Sequence, residues 1–112
     1  MLDQDCFRDL LATATFDSSS PSKRDLFQTE RLFLGLNYLK QGQAQRVHVH
    51  QHADKFYLVV SGKARITVGT TTREVGPAGL AWAPAGVPHG IAEAVEDSIV
   101  LVTMSPPPAG RS

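Results

Sequence analysis

From residue 31 onward, short apolar runs alternate with glycine and proline residues. The runs are Leu32–Leu39, Arg46–His50 (where polar and apolar residues alternate), Phe56–Val60, Ala64–Val68, Thr70–Val75, Leu80–Ala83 and Ser98–Met104. Short strands at this spacing, separated by turn residues, are typical of an all-β sandwich or barrel. No helical pattern lies between them, which argues against a parallel α/β sheet. The pattern therefore predicts an all-β fold.

The N-terminal part has a different pattern of apolar and polar residues. Apolar residues at Leu2, Cys6, Phe7, Leu10, Leu11 and Ala14 are spaced like one face of a short amphipathic helix. A polar segment with a proline, residues 17–25, follows and predicts a loop. We therefore expect an N-terminal helix and loop extension over 1–30, a barrel over 31–105 and a proline-rich tail over 106–112.

Composition narrows the class of protein. The chain has 112 residues, enough for one domain, and its 11 basic and 11 acidic residues give a formal net charge of +0. A chain with balanced charge lacks the excess of positive charge that is typical of proteins that bind nucleic acid or an anionic membrane. The chain has a single cysteine, and its N-terminus is acidic and lacks signal-peptide features. It also has no long apolar run. These features favour a cytoplasmic protein without a membrane span.

Histidines supply the candidate chemistry. His48 and His50 are two residues apart, so on a strand their side chains point to the same face. His89 follows a rigid segment that contains Pro84, Gly86 and Pro88, and such loops often complete a site on a β scaffold. Imidazole nitrogen is a common ligand of transition metals. A metal site and a solvated polar strand face are both compatible with this pattern.

The spacing of these residues resembles that of a known family. The segment from Gly42 through His48 and His50 to Gly62 is similar to the first cupin motif, G(X)5HXH(X)3–4E(X)6G, with Lys55 in place of glutamate. The segment from Pro84 to His89 resembles the second motif, PXG(X)2H. Two other positions depart from that motif: Ala78 stands where its leading glycine is usual, and Glu93 where its asparagine is usual.

The resemblance implies a double-stranded β-helix, that is, a jelly-roll cupin barrel preceded here by the short helix. It implies that His48, His50 and His89 ligate a divalent transition metal such as Fe, Mn, Ni, Cu or Zn. It also implies a homodimer and a small-molecule ligand. Because cupins include dioxygenases, isomerases, decarboxylases and non-enzymatic binders, the fold alone does not define the reaction.

Lys55 changes what the site is expected to do. A lysine ammonium about 5 Å from a divalent ion is repelled by on the order of 6–7 kcal/mol at an effective dielectric of about 20. Lys55 could therefore turn outward, lose its proton, or replace the metal altogether. His52 and Asp54 are further candidate ligands. If Lys55 stays inside, it favours an anionic ligand such as a carboxylate or enolate.

Strand parity predicts the remainder of a pocket. Tyr57 and Val59 should share the inward face of Lys55, and Leu80 and Trp82 should also point into the barrel.

We expect a metal-dependent enzyme of the dioxygenase or isomerase type that acts on a small organic molecule. The alternative is a non-catalytic module that binds or senses a small molecule.

Overall fold

The fold is described by a computed structural model that covers residues 5–12 and 14–108. These residues form nine strands, in chain order β1 Ser22–Gln28, β2 Phe33–Leu39, β3 Gln45–His48, β4 Asp54–Ser61, β5 Ala64–Val68, β6 Thr71–Val75, β7 Leu80–Ala83, β8 His89–Ala94 and β9 Ser98–Ser105. The prediction of an all-β fold is confirmed. In this part of the chain no helix is long and apolar enough to span a bilayer.

The strands form two antiparallel sheets. One has the order β1-β2-β9-β4-β7 and the other the order β3-β8-β5-β6. Sheets that pack face to face bury the alternate residues of each strand. Accordingly Tyr57, Val59, Ile91 and Val100 are fully buried in one apolar core between the sheets. The arrangement is a jelly-roll barrel.

A second, smaller core lies on the outer face of the five-stranded sheet. Leu36, Tyr38 and Ile99 are buried there, and Leu10 and Phe16 of the N-terminal segment pack against them. This cover explains why the apolar run of β2 is continuous instead of alternating: both of its faces are buried.

The predicted N-terminal helix is wrong for the residues that the structure describes, because residues 5–12 and 14 contain only a turn. Leu2 and residue 13 lie outside the described residues. The predicted apolar face does not pack as a unit, because the side chains of Phe7 and Leu11 are 83% and 57% exposed. The carboxylates of Asp5 and Asp9 accept hydrogen bonds from the backbone N–H groups of Phe7 and Leu11, respectively. Such local bonds compete with helix formation, and a helix this short has little stability of its own.

Two strands are absent from the pattern-based prediction. β1 begins inside the predicted polar loop and pairs with β2, so the sheet starts before residue 31. β8 begins at His89 and lies between β3 and β5. The described part of the predicted tail, 106–108, contains no strand.

Candidate metal centre

The three motif histidines converge in the structure. His48 ends β3, and it lies directly opposite His89, the first residue of β8, on the neighbouring antiparallel strand. Residues that are directly opposite in this way share a face of the sheet. The ring centroids of His48 and His89 are 4.6 Å apart, and those of His48 and His50 are 4.8 Å apart. One ligand nitrogen from each histidine lies within 4.8 Å of the others.

Backbone hydrogen bonds orient two of the rings. Nδ1 of His48 donates to the carbonyl of Arg46, and Nδ1 of His89 donates to the carbonyl of Val87, both at 2.9 Å. Since a carbonyl only accepts, these bonds place the proton on Nδ1 and leave the lone pair on Nε2. Metal-ligating histidines commonly have this outer contact.

The loop before β8 is fixed to the same region. The backbone N–H of Gly86 donates to the carbonyl of His50 at 2.8 Å. The N–H of Ala85 donates to a carboxylate oxygen of Asp54 at 3.0 Å. Asp54 therefore positions the loop that leads to His89, and it is not one of the clustered residues. His52, the other further candidate ligand, is exposed in the turn after β3 and also lies outside the cluster.

Burial keeps the cluster neutral. Desolvation lowers the pKa of His48 and His89, and Lys55 adds to the lowering in both cases. For His50, desolvation together with the charges of His48, Lys55 and His89 lowers the pKa to about 4. Neutral imidazole is the form that binds a metal. Nε2 of His89 is buried, and no other described atom hydrogen-bonds to it. An unsatisfied buried acceptor beside two further imidazoles fits a metal ion as the missing partner.

Lys55 reaches the cluster from the opposite sheet. Its side chain is only 4% exposed, and its Nζ lies 3.5 Å from Nε2 of His48 and 4.8 Å from the centroid of the Tyr57 ring. The lysine has thus not turned outward, which was one of the three outcomes expected for it. Tyr57 lies beneath it, and its hydroxyl donates to Oε1 of Gln45 at 3.0 Å. Val59 lies deeper in the core.

A cavity of about 170 Å³ opens beside the histidines. This is smaller than the roughly 300 Å³ at which drug-sized pockets begin, so it suits a small metabolite. The residues that border it include His48, His50, Lys55, Asn37, Gln45 and Met104. Lys23 of β1 borders the same cavity and lowers the pKa of His48. Arg24 and Asp25 border it too, so the cavity combines imidazole, ammonium, guanidinium, carboxylate and amide groups with an apolar wall.

Leu80 and Trp82 do not line this cavity, and their predicted inward orientation is wrong. They are 61% and 55% exposed. Trp82 lies opposite Phe56 on β4, whose side chain points away from the interior because Lys55 and Tyr57 point into it. The alternate residues, Ala81 and Ala83, are the ones that face inward. Because the side chains of Ala81 and Ala83 are small, the interior has room for the large side chains of Lys55 and Tyr57 on β4.

Several residues of the cavity are not identified from sequence, and Asn37, Gln45 and Lys23 are three of them. Asn37 is the polar residue inside the apolar run of β2 and is 6% exposed, and this interruption was a usable signal. Gln45 precedes the first histidine at the start of β3. Lys23 lies in a polar stretch that gives no indication of a strand.

The fold and site define a class: a double-stranded β-helix barrel with three inward histidines beside a small cavity. The comparisons with known proteins agree, because the cupin domain family matches residues 36–105. The chain belongs to the cupin family.

Its relatives extend the similarity to most of the chain. The uncharacterized protein SCO3923 of Streptomyces coelicolor is 42% identical over 82 residues, which cover 72% of this chain and 77% of that protein. The crystal structure of TT1209 from Thermus thermophilus is 37% identical with a TM-score of 0.85, covering 91% and 98% of the two chains. An RmlC-like cupin from Desulfovibrio desulfuricans is 26% identical with a TM-score of 0.86, covering 94% and 100%.

Proposed function

We propose that His48, His50 and His89 hold a divalent transition metal ion in a metal-dependent enzyme of the dioxygenase or isomerase type. The convergence of the three rings carries the proposal, together with the buried Nε2 of His89 that has no partner among the described groups. Imidazole ligands suit Fe, Ni, Cu and Zn in particular. When bound, such an ion supplies Lewis-acid or redox chemistry to a small molecule.

The substrate that we propose is a small organic anion. Lys23, Arg24 and Lys55 border the cavity together with one carboxylate, Asp25, so cationic side chains outnumber anionic ones around a bound molecule. The amides of Asn37 and Gln45 can donate to the same molecule and orient it. Met104 contributes to the apolar wall, which keeps water from one side of the ligand. These groups bind and orient the anion, and none of them needs to gain or lose a proton to do so.

One observation favours a second candidate function. Lys55 stands where a fourth, anionic metal ligand is usual in the family, and its Nζ is within 3.5 Å of Nε2 of His48. A site in which the ammonium permanently takes the place of the ion would be a non-catalytic module that binds a small anion. Both functions use the same cavity, so metal content separates them.

The deciding experiment measures metal by elemental mass spectrometry in protein purified without a histidine tag or a chelator. A His48→Ala, His50→Ala variant tests the site, and His52→Ala is the matched control because His52 is an exposed histidine outside the cluster. We expect near-stoichiometric metal in the native protein and in the control, and loss of metal in the double variant. Native protein that stays metal-free after reconstitution would overturn the metal centre and leave the binding module.

We also propose that the protein forms a homodimer through the outer face of β4 and β7. Phe56, Leu80 and Trp82 form an exposed apolar patch there, and β7 is an edge strand of its sheet in the described structure. Contiguous exposed apolar surface commonly marks an interface. An edge strand can pair antiparallel with its own copy about a twofold axis, which would cover the patch and the edge together.

A further inference from the structure

The hydroxyl of Tyr57 fixes the orientation of the Gln45 carboxamide. Tyr57 is fully buried, and burial raises the pKa of its hydroxyl, so the hydroxyl keeps its proton. It donates to Oε1 of Gln45 at 3.0 Å and has no other hydrogen-bond partner among the described residues. If the carboxamide were reversed, its NH₂ group would face the hydroxyl, and the hydroxyl proton would lose its acceptor. The observed orientation is therefore the one that satisfies the buried hydroxyl.

The other end of this carboxamide is the donor that Gln45 offers to the cavity. Gln45 borders the cavity, and its Nε2 makes no hydrogen bond to another described residue. Because Oε1 accepts from Tyr57, the NH₂ group is the end that remains for a molecule in the cavity. An NH₂ group of this kind only donates. A ligand that contacts it must therefore present an acceptor.

A second carboxamide reaches the cavity from the facing sheet. Asn37 lies on β2 and shares the inward face of that strand with Phe33 and Leu39. It is 6% exposed, it borders the cavity, and its side chain makes no hydrogen bond to another described residue. A buried polar group without a partner is costly, so a molecule in the cavity is expected to satisfy it. Because the cavity measures only about 170 Å³, a molecule that fills it lies against both amides.

We propose that Gln45 determines the chemical class of the ligand and that Tyr57 is the residue that positions it. The ligand accepts from the Gln45 NH₂ group through a carbonyl or carboxylate oxygen, and Asn37 contacts the same polar group. The inference rests on the proposed binding of a small anion in the cavity and adds which atom of that molecule is recognised. A molecule whose only polar group is a donor, such as a protonated amine, would leave the NH₂ group without an acceptor and is disfavoured.

The test follows the Gln45 NH₂ signal by NMR in ¹⁵N-labelled full-length protein that is titrated with acetate or with acetone, first with Zn²⁺ present and then after chelation. Acetone is the neutral probe, because its carbonyl oxygen accepts without carrying a charge. We expect both probes to shift the signal until it saturates. The signal is assigned by its absence in Gln45→Glu, where the Asn37 NH₂ signal reports binding instead. Gln45→Glu should bind both probes about 5- to 150-fold more weakly, since an acceptor oxygen is then left facing an acceptor.

Tyr57→Phe tests the positioning role. Without the hydroxyl the carboxamide can turn, so both probes should bind about 2- to 10-fold more weakly, and ¹⁵N relaxation should show a more mobile Gln45 NH₂ group. Tyr38→Phe is the matched control, because the Tyr38 hydroxyl is buried in the second core, outside the cavity. Gln41→Glu is the control for charge, because Gln41 is exposed and does not border the cavity. Both controls should keep the native response.

The outcomes are distinguishable. Native affinity for both probes in Gln45→Glu, or in Gln45→Met if the first variant folds poorly by circular dichroism, overturns the role of Gln45. A Gln45 NH₂ signal that neither probe shifts also overturns it, because water is then its partner. Unchanged affinity and NH₂ mobility in Tyr57→Phe overturn the positioning role. Histidine signals that Zn²⁺ does not shift refute the proposed metal centre instead, and the titrations of the chelated protein still decide the role of Gln45.

Discussion

Replacing His50 by glutamine should make the metal-free protein less sensitive to acid. The pKa of His50 is held at about 4 in the folded protein, first by desolvation and then by the charges of His48, Lys55 and His89. In the unfolded chain it returns to about 6.5. Between pH 6.5 and about 4 the unfolded state therefore binds a proton that the folded state does not. Stability is complete above this window and falls as the pH falls through it.

The size of the effect follows from the two pKa values. Between pH 7 and pH 5, a shift from 6.5 to about 4 corresponds to roughly 2 kcal/mol of unfolding free energy. His50 is partly exposed, and solvent screening reduces such electrostatic contributions. We therefore expect His50 to account for about 1 kcal/mol of the stability lost over this interval. The pKa values of His48 and His89 are also lowered, so these residues add losses of the same sign.

The measurement is urea denaturation of chelator-treated protein at pH 7 and at pH 5, which lies above the ordinary range of most carboxylates. The native protein, His50→Gln and the control His52→Gln are compared. The decrease in unfolding free energy on acidification should be about 1 kcal/mol smaller in His50→Gln than in the other two. An equal decrease in all three would show that burial does not hold His50 neutral, and the reasoning about the cluster would be refuted.

Three further predictions concern single positions. Ala78 has a φ of 68°, which an L side chain disfavours, so Ala78→Gly should raise the unfolding free energy by about 0.5–1 kcal/mol in a thermal or urea melt, whereas Ala64→Gly inside β5 should lower it. Tyr57→Phe removes the hydrogen bond to Gln45 and should cost about 1 kcal/mol in the same assay. Leu80→Ser with Trp82→Ser should shift the protein from dimer to monomer in sedimentation; an unchanged mass would contradict the proposed interface.

The barrel strands could be predicted where the apolar pattern is strong. Ala64–Val68 and Leu80–Ala83 have the same bounds in the structure as in the sequence pattern, and the inward parity of Lys55 and Tyr57 agrees with their burial. These segments are bounded by turns that the sequence marks clearly. Gly62, for example, has a φ of 84°, and a Cβ there would overlap the carbonyl of Asp97. Local sequence and tertiary structure agree at such positions, so prediction works.

β1 and β8 could not be predicted because pairing, and not composition, defines them. β1 is an edge strand whose Lys23, Arg24 and Asp25 are exposed, so it lacks the alternation of a half-buried strand. β8 begins His-Gly, and Gly90 is needed because a Cβ there would approach the carbonyl of Gln45 on β3 to 2.8 Å. Glycine and alanine have low strand propensity, and only the neighbouring strands determine the conformation here.

The histidines of the site could be predicted, but the surroundings could not. Spacing places His48 and His50 on one side, yet only the register between β3 and β8 places His89 opposite His48. The predicted inward orientation of Leu80 and Trp82 is wrong because a large apolar side chain is not by itself a sign of burial. Their pairing with β4 gives the actual face, and exposed apolar residues are common on protein surfaces.

The position of Lys55 shows how the charge of such a site can change without loss of its geometry. His48 and His89 lie on β3 and β8 of one sheet, where backbone pairing and hydrogen bonds to carbonyls orient their rings. Lys55 lies on β4 of the other sheet and reaches them only with its side chain. A substitution at position 55 would therefore change the charge of the site without changing the two strands that orient these rings. A glutamate at this position would add an anionic ligand, whereas the lysine favours an anion brought by the ligand itself. The residue at position 55 should therefore affect the charge of the bound molecule more than the three neutral histidines do.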